Sequence, residues 1–263
     1  MQRELKRWIS IKTLTYLAYL PVIIFKIKNW PAYLLNYLGV TNKGGKYYFR
    51  DGIVLSDKEG ALTGVIAVVF IRKHYGEIKN LSVIVDIGAN IGVFSVYAAN
   101  ESKKAIIYAY EPVITNYEIL NENINNNNFN DRIKTFNLGI ASKNETRKIY
   151  ISTSTLHSIT DTNKCQYHET IQCITLNDII ITNKLNNIDL LKINCEGAEY
   201  EILYSTNKES FDVINEIRLE YHNEDSDRNN VVYLKKYLES MGYKTLKLWL
   251  NSQEDGFLWM KNI

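Results

Sequence analysis

The residues with the clearest chemical potential lie in one short segment, Asp86-Ile87-Gly88-Ala89-Asn90-Ile91-Gly92. Glycines let a chain turn tightly and bring its backbone close to a ligand. A dinucleotide-binding turn reads G-x-G-x-x-G and lays a pyrophosphate on a helix N-terminus. Here Asn90 stands at the second glycine position, and the next glycine comes too early. The pattern is D-x-G-x-x-x-G, with a carboxylate two residues ahead of the first glycine. Such an acid repels a pyrophosphate and attracts a cationic amine, which argues against a nicotinamide-dependent oxidoreductase. A second acid, Glu111, follows 25 residues after Asp86 and is placed to accept both hydroxyls of a ribose. A ligand with an amino-acid end and a ribose end suits both acids, and S-adenosylmethionine is such a ligand. Without a ligand, Asp86 reads as a buried cap and Glu111 as a solvated strand end before Pro112.

Both acids need strand ends to hold them, and the surrounding pattern supplies these. Residues 82–88 (SVIVDIG) form a continuous apolar run bounded by glycine, as expected of a strand buried on both faces. A helix over 91–100, a strand over 105–110, a helix over 114–127 and a strand over 132–138 follow. This alternation predicts an α/β fold with a parallel sheet and right-handed crossovers. Further strands are expected at KIYIS (148–152) and TIQCITL (170–176), around a polar loop at 152–163. Beyond these come a strand at 188–195, a helix from 198, a strand at 213–221 and a helix at 229–241. Residues 243–250 and 256–261 read as a closing hairpin. The expectation is a doubly wound, seven-stranded, mostly parallel sheet with one reversed strand.

Ahead of this lies an extension, residues 1–80, that precedes the domain proper at 81–263. Asp51-Gly52 between KYYFR and IVLS is a two-residue hairpin signal. GVIAVVFIRKHY (64–75) reads as a buried strand or a helix, and its basic end favours the helix. Of the 263 residues, 31 are Lys or Arg and 29 are Asp or Glu, for a net charge of +2. Residues 1–50 hold nine of the basic residues and a single acid, Glu4, so a head of +8 precedes a body of −6. A basic head of this kind suits either a solvated helix face or contact with an anionic surface. Its longest charge-free apolar run, residues 13–25, is thirteen residues long and contains Pro21. That is short of the roughly 20 residues a bilayer span needs. Phe25-Lys26-Ile27-Lys28 follows where a leader would carry small residues for cleavage. The three cysteines, at 165, 173 and 195, show no metal or disulfide spacing, so a reducing compartment is expected.

Several motifs together resemble the FkbM-type S-adenosylmethionine-dependent methyltransferases. They are VIVDIGANIGVFSVYAA (83–99), YAYEP (108–112), LNENINNNN (120–128), NLGIAS (137–142), ITLNDII (174–180), IDLLKINCEGAEYEIL (188–203) and EIRLEYH (216–222). The resemblance implies a Rossmann-like class I methyltransferase fold and methyl transfer to a hydroxyl of a sugar, glycan or natural product. It also implies that Asp86, Gly88, Asn90 and Gly92 form the cofactor loop and that Glu111 holds the ribose. By the same analogy, residues 137–140, including Asn137 and Gly139, flank the adenine.

One position departs from the family. Its usual K-I-D-x-E-G reads Lys192-Ile193-Asn194-Cys195-Glu196-Gly197 here. Asn194 can hydrogen-bond a substrate hydroxyl but cannot take its proton. A hydroxyl nucleophile needs a base, so Glu196, Glu199, Glu220, His222 and, in the polar loop, His157 are candidates. Glu196 also reads as a helix cap, and His222 as a satisfied polar group at a strand end. No spacing demands a metal. Two other functions compete: a methyltransferase-fold binding module that has lost turnover at Asn194, and a nucleic-acid methyltransferase clamped by the basic head. The second lacks an NPPY-type motif or a recognisable nucleic-acid module. The expected acceptor is a hydroxyl compound rather than nucleic acid. The expected location is the cytoplasm, with residues 1–30 a candidate contact to a membrane surface.

Overall fold

The computed structural model describes residues 18–41, 44–57, 62–151, 167–224, 227–252 and 254–263. The chain divides into two compact units, residues 1–73 and 74–263. In the first, helical residues 18–26 (α1) and helix α2 (Trp30–Tyr37) precede a hairpin of β1 (Gly45–Tyr48) and β2 (Val54–Asp57). The hairpin turns at Asp51-Gly52 as the sequence predicts, with Phe49 N–H donating to Ile53 O at 2.8 Å. Of the two readings of 64–75 the structure has the helix, but only as far as Ile71. It begins as α3 (Leu62–Ile66) and loosens into one wider turn over Ala67–Ile71. Tyr33, Tyr47, Phe49, Leu62, Ile66 and Phe70 are buried in this unit. No helix among the described residues is long and apolar enough to cross a membrane.

The second unit is built on a seven-stranded sheet. Its strands in chain order are β3 (Val83–Ile87), β4 (Ile106–Tyr110), β5 (Ile133–Phe136), β9 (Leu190–Ile193), β10 (Glu216–His222), β11 (Tyr243–Leu250) and β12 (Asp255–Asn262). Their spatial order is β11-β12-β10-β9-β3-β4-β5. Only β12 runs against the rest, pairing antiparallel with both β10 and β11. Chain order therefore reverses between β3 and β9, the point where open parallel sheets leave a ligand crevice at their carboxyl ends. One sheet face carries Val85, Ile87, Leu191, Ile193, Ile217 and Leu219. It packs against α6 (Leu176–Thr182), α7 (Glu199–Tyr204), α8 (Lys208–Asp212) and α9 (Val231–Ser240). The Asp86 face meets α4 (Val93–Glu101), whose Ser95 Oγ donates to Asp86 at 2.6 Å. Helix α5 (Ile114–Asn126) lies beside α4 and β5.

Two departures from the sequence pattern bear on the site. The expected strand 132–138 ends at Phe136, because Asn137 turns its side-chain amide into the Glu111 and Pro112 carbonyls at 2.9 and 2.8 Å. The chain resumes as β6 (Gly139–Ile140), in a separate three-stranded sheet with β7 (Glu145–Ile151) and β8 (Tyr167–Ile174). The strand predicted at 170–176 gives way to α6 at Leu176. Thr175 and Asp178 form a reciprocal capping box there. The T-x-x-D signal for that cap is present in the sequence.

Candidate active site

The loop after β3 turns through three left-handed residues, Gly88, Asn90 and Gly92. At Gly88 (φ 71°) a Cβ would stand 1.8 Å from the Asn194 carbonyl oxygen. Glycine is required there by the neighbouring strand end as well as by the backbone angle. Gly92 abuts Leu120 of α5, where a Cβ would come within 2.5 Å of the side chain. Asn123, buried on α5, donates to the Ile91 carbonyl at 2.7 Å and braces the loop from behind.

Asp86 is fully buried, and the cation beside it is Lys192 Nζ on β9, at 2.8 Å. The same ammonium donates to the Gly88 carbonyl at 2.7 Å and lies 5.8 Å from the ring centres of Tyr75 and Phe94. The amine that the D-x-G pattern anticipates for Asp86 is thus present within the chain. The pair ties the end of β3 to β9 and fixes the root of the loop.

Glu111, just past β4, is buried and engaged on both oxygens. Oε2 accepts from the Asn90 N–H at 2.7 Å, and Oε1 accepts from the Val113 N–H at 3.0 Å and Asn116 Nδ2 at 3.3 Å. Burial raises its pKa, only partly offset by those donors and by Lys192, and leaves it at about 7. A carboxylate offers about four lone-pair positions, so three donors leave room for one more on Oε2. That fits a ribose hydroxyl. Asn137 is committed to the Glu111 and Pro112 carbonyls and so shapes this corner of the crevice. Gly139 is crowded by Ile171 and Cys173, at 2.8 and 2.9 Å from a would-be Cβ, which explains its size.

Across the crevice, two clusters form at the ends of β9 and β10. Asn194 Nδ2 donates to Glu220 Oε2 at 2.9 Å, and the Tyr75 hydroxyl donates to the same oxygen at 3.4 Å. Burial lifts Glu220 to about 7, with Glu196 and Asp255 adding to the rise and His222 and Lys192 opposing it. In the second cluster His222 stands between two carboxylates. Its Nδ1 is 3.0 Å from Glu199 and its Nε2 is 3.4 Å from Glu196. Burial works to lower the His222 pKa, but the Glu199 hydrogen bond and the charges of Glu199, Glu196 and Glu220 outweigh it and raise it to about 9. With a carboxylate at each ring nitrogen, this shift favours the cationic form of His222 at neutral pH. Glu199, fully buried, also accepts from the backbone N–H groups of Gly197 and His222. Glu196 does not cap α7; it sits in a left-handed turn (φ 51°) facing His222, its pKa raised by burial. His157 lies outside the described residues.

The crevice thus has a ribose-compatible acid on the β4 side and an acidic, titratable wall on the β9–β10 side. Residues 86–245 match the Methyltransferase FkbM domain. The chain belongs to the FkbM methyltransferase family. It is a methyltransferase, and its methyl donor is S-adenosylmethionine. Among curated proteins this FkbM methyltransferase is similar to Methyltransferase sdnD of Sordaria araneosa, 27% identical over 183 residues that cover 56% of this chain and 70% of the relative. It is also similar to Methyltransferase 1 of Beauveria bassiana, 25% identical over 199 residues that cover 66% and 78%. Among solved structures it shares its fold with methyltransferase FkbM from Methylobacillus flagellatus, at a TM-score of 0.50 and 16% identity. That likeness covers 74% of this chain and 47% of the other, so the chain spans about half of that protein's length.

Sequence reasoning alone did not find Lys192 as the partner of Asp86, Tyr75 beside Glu220, or Asn123 behind the loop. The signal for Lys192 is present, since positions 192 and 194 alternate onto one face of β9 with Asp86 opposite Lys192 in register. Tyr75 has no such signal, because it lies 145 residues from its partner.

Proposed function

We propose that this FkbM methyltransferase transfers its methyl group to the oxygen of a hydroxyl on a sugar, glycan or natural product. The observation that carries this reading is the carboxylate wall of Glu196, Glu199 and Glu220 at the ends of β9 and β10, with the pKa values of Glu196 and Glu220 raised. A hydroxyl must lose a proton to become a methyl ether, and a carboxylate near neutral pKa is matched to that task. The same wall repels a phosphate backbone, which favours an uncharged acceptor over nucleic acid.

When bound, S-adenosylmethionine supplies an activated methyl group on a sulfonium. The chain's own contribution is to hold and orient. Glu111 would take the ribose, and the Gly88–Gly92 loop would back the rest of the ligand. Asp86 and Lys192 keep that loop at a fixed distance from β9. Catalysis on this scheme comes largely from positioning, with one proton acceptor beside the hydroxyl.

Incubation with S-adenosylmethionine labelled in the methyl group tests the reading, using a panel of glycans, hydroxylated small molecules and RNA. Label is expected in a hydroxyl-bearing compound as an ether, and Glu111→Ala should abolish it. Label on nitrogen would refute hydroxyl transfer, and label in RNA alone would refute the sugar, glycan or natural-product acceptor.

A further inference from the structure

We infer that Glu220 is the catalytic residue that takes the acceptor's proton, and that Asn194 and Tyr75 are positioning residues that aim it. This rests on the hydroxyl-transfer reading and assigns its base.

The argument starts from which carboxylate oxygens remain available. Glu199 is fully buried and already accepts from two backbone N–H groups and from His222. Glu196 is engaged by the His222 cation. Glu220 differs. Both of its hydrogen bonds, from Asn194 Nδ2 and the Tyr75 hydroxyl, fall on Oε2. Its Oε1 takes no hydrogen bond from any described residue. One oxygen is therefore clamped while the other is left to receive a proton.

The nature of residue 194 completes the device. Asn194 donates to Glu220 without carrying charge. An aspartate there would put a second carboxylate about 3 Å away, and two such groups share one proton and split their pKa values. With the amide, the strand ends present a single acceptor. Asn194 Oδ1 is itself buried and unpartnered, so the amide is held through its nitrogen, by Glu220 and Tyr75. Tyr75 closes the other side and packs edge-on against Phe94 and Phe257, with ring centres 5.1 and 5.4 Å apart. Phe257 pairs with Glu220 across β10 and β12. These rings exclude water and lift the carboxyl toward neutrality. The charged groups facing Glu220 are His222 on its own strand, Lys192 on β9, Glu196 in the following loop and Asp255 on β12.

Position agrees with the role. Glu111 lies beyond β4, and Asn194 and Glu220 lie at the ends of β9 and β10, on the other side of the β3 loop. A ligand whose ribose is held by Glu111 and whose chain crosses the loop brings its sulfur end toward β9. In the step, the acceptor oxygen bonds to the methyl carbon as the carbon–sulfur bond breaks, and that electron pair stays on sulfur. The hydroxyl proton passes to Glu220 Oε1. The products are the methyl ether, S-adenosylhomocysteine and a protonated Glu220, which returns its proton to water.

The test needs no acceptor. Sinefungin carries an amine where S-adenosylmethionine carries its methyl sulfonium, and S-adenosylhomocysteine carries nothing there. The ratio of their dissociation constants reports the charge facing the methyl position, and contributions of the shared ribose, Glu111 included, cancel. For wild type at pH 8, calorimetry should show sinefungin favoured. Glu220→Gln should lower that preference by about tenfold, the scale of one charge-assisted contact, while S-adenosylhomocysteine affinity stays within about twofold. Within wild type alone, the preference should fall as pH drops from 8 to 6. This second measurement stands even if the variant does not fold. A preference unchanged in Glu220→Gln and flat with pH would overturn the inference, as would a loss seen in Glu196→Gln but not in Glu220→Gln. Failure of wild type to bind either ligand would instead remove the donor site beneath both readings. A methyl acceptor found to be nitrogen, with the Glu220 signature present, would refute hydroxyl transfer separately.

Discussion

Glu111 offers the sharpest quantitative test of the donor site. The perturbation is Glu111→Gln, which keeps the size of the side chain and one carbonyl oxygen. The structure fixes what is lost. Three donors already occupy the carboxylate, leaving one acceptor position for a ribose hydroxyl. A hydrogen bond to a charged, buried group is worth about 1.5–3 kcal/mol, so affinity for S-adenosylhomocysteine should fall by roughly 10- to 150-fold. The pH dependence carries independent information. With its pKa at about 7, Glu111 is half protonated in the free protein at neutral pH. A ribose donor favours the ionised form, so binding expels a proton and tightens as pH rises. Between pH 8 and pH 6 the ionised fraction falls about tenfold, and affinity should fall with it. Isothermal titration in buffers of different ionisation enthalpy measures both the affinity and the proton released. Wild type should release a fraction of a proton near pH 7, and Glu111→Gln should largely lose that release. Affinity independent of pH from 6 to 8 in wild type, or an identical slope in the variant, would refute the assignment of Glu111 to the ribose.

Three further outcomes follow from the same geometry. Lys192→Met strips the buried Asp86 carboxylate of its cation and should cost on the order of 3–5 kcal/mol in denaturant unfolding. The double change Asp86→Asn with Lys192→Met should recover much of that loss, and no recovery would mean the pair is not coupled. Gly88→Ala combines a left-handed φ with a Cβ 1.8 Å from the Asn194 carbonyl, and should abolish S-adenosylhomocysteine binding. Wild-type affinity in that variant would show the close approach to be absent. Thermal midpoints of the ligand-free protein should fall between pH 5 and pH 9. Glu111 and Glu220 (each about 7 against 4.5) and His222 (about 9 against 6.5) bind their protons more tightly when folded. The stability they contribute is full below the unfolded values and is lost as pH rises through the folded ones. Glu201 and Asp189, held below their ordinary range, act in the opposite sense and matter only at acid pH. A midpoint that climbs over this range would contradict the shifts at the site.

Much of the main sheet was legible because its cause is local. Runs such as VIVDI and LLKI are apolar apart from one charged residue each, Asp86 and Lys192, as a strand buried on both faces requires. The glycine-bearing turn after β3 and the acid after β4 could be placed for the same reason, since both follow directly on such runs. The small sheet and α6 were harder to read. A strand of mixed polarity at 170–174 passes into a helix at Leu176 with no break in composition, and only the Thr175 cap marks the change.

The sequence by itself determined the α/β class, the chain order of the main-sheet strands, and the two acids at strand ends, because these depend on periodicity and on residues close in the chain. Tertiary structure alone decided the states of those acids. Asp86 meets Lys192 from a strand more than 100 residues later. Glu220 meets Asn194 and Tyr75 from two other segments, and His222 becomes a cation because Glu196 and Glu199 converge on it. Charge state depends on burial and on neighbours within a few ångströms. Both are set by how strands are ordered in the sheet, which a linear pattern does not encode.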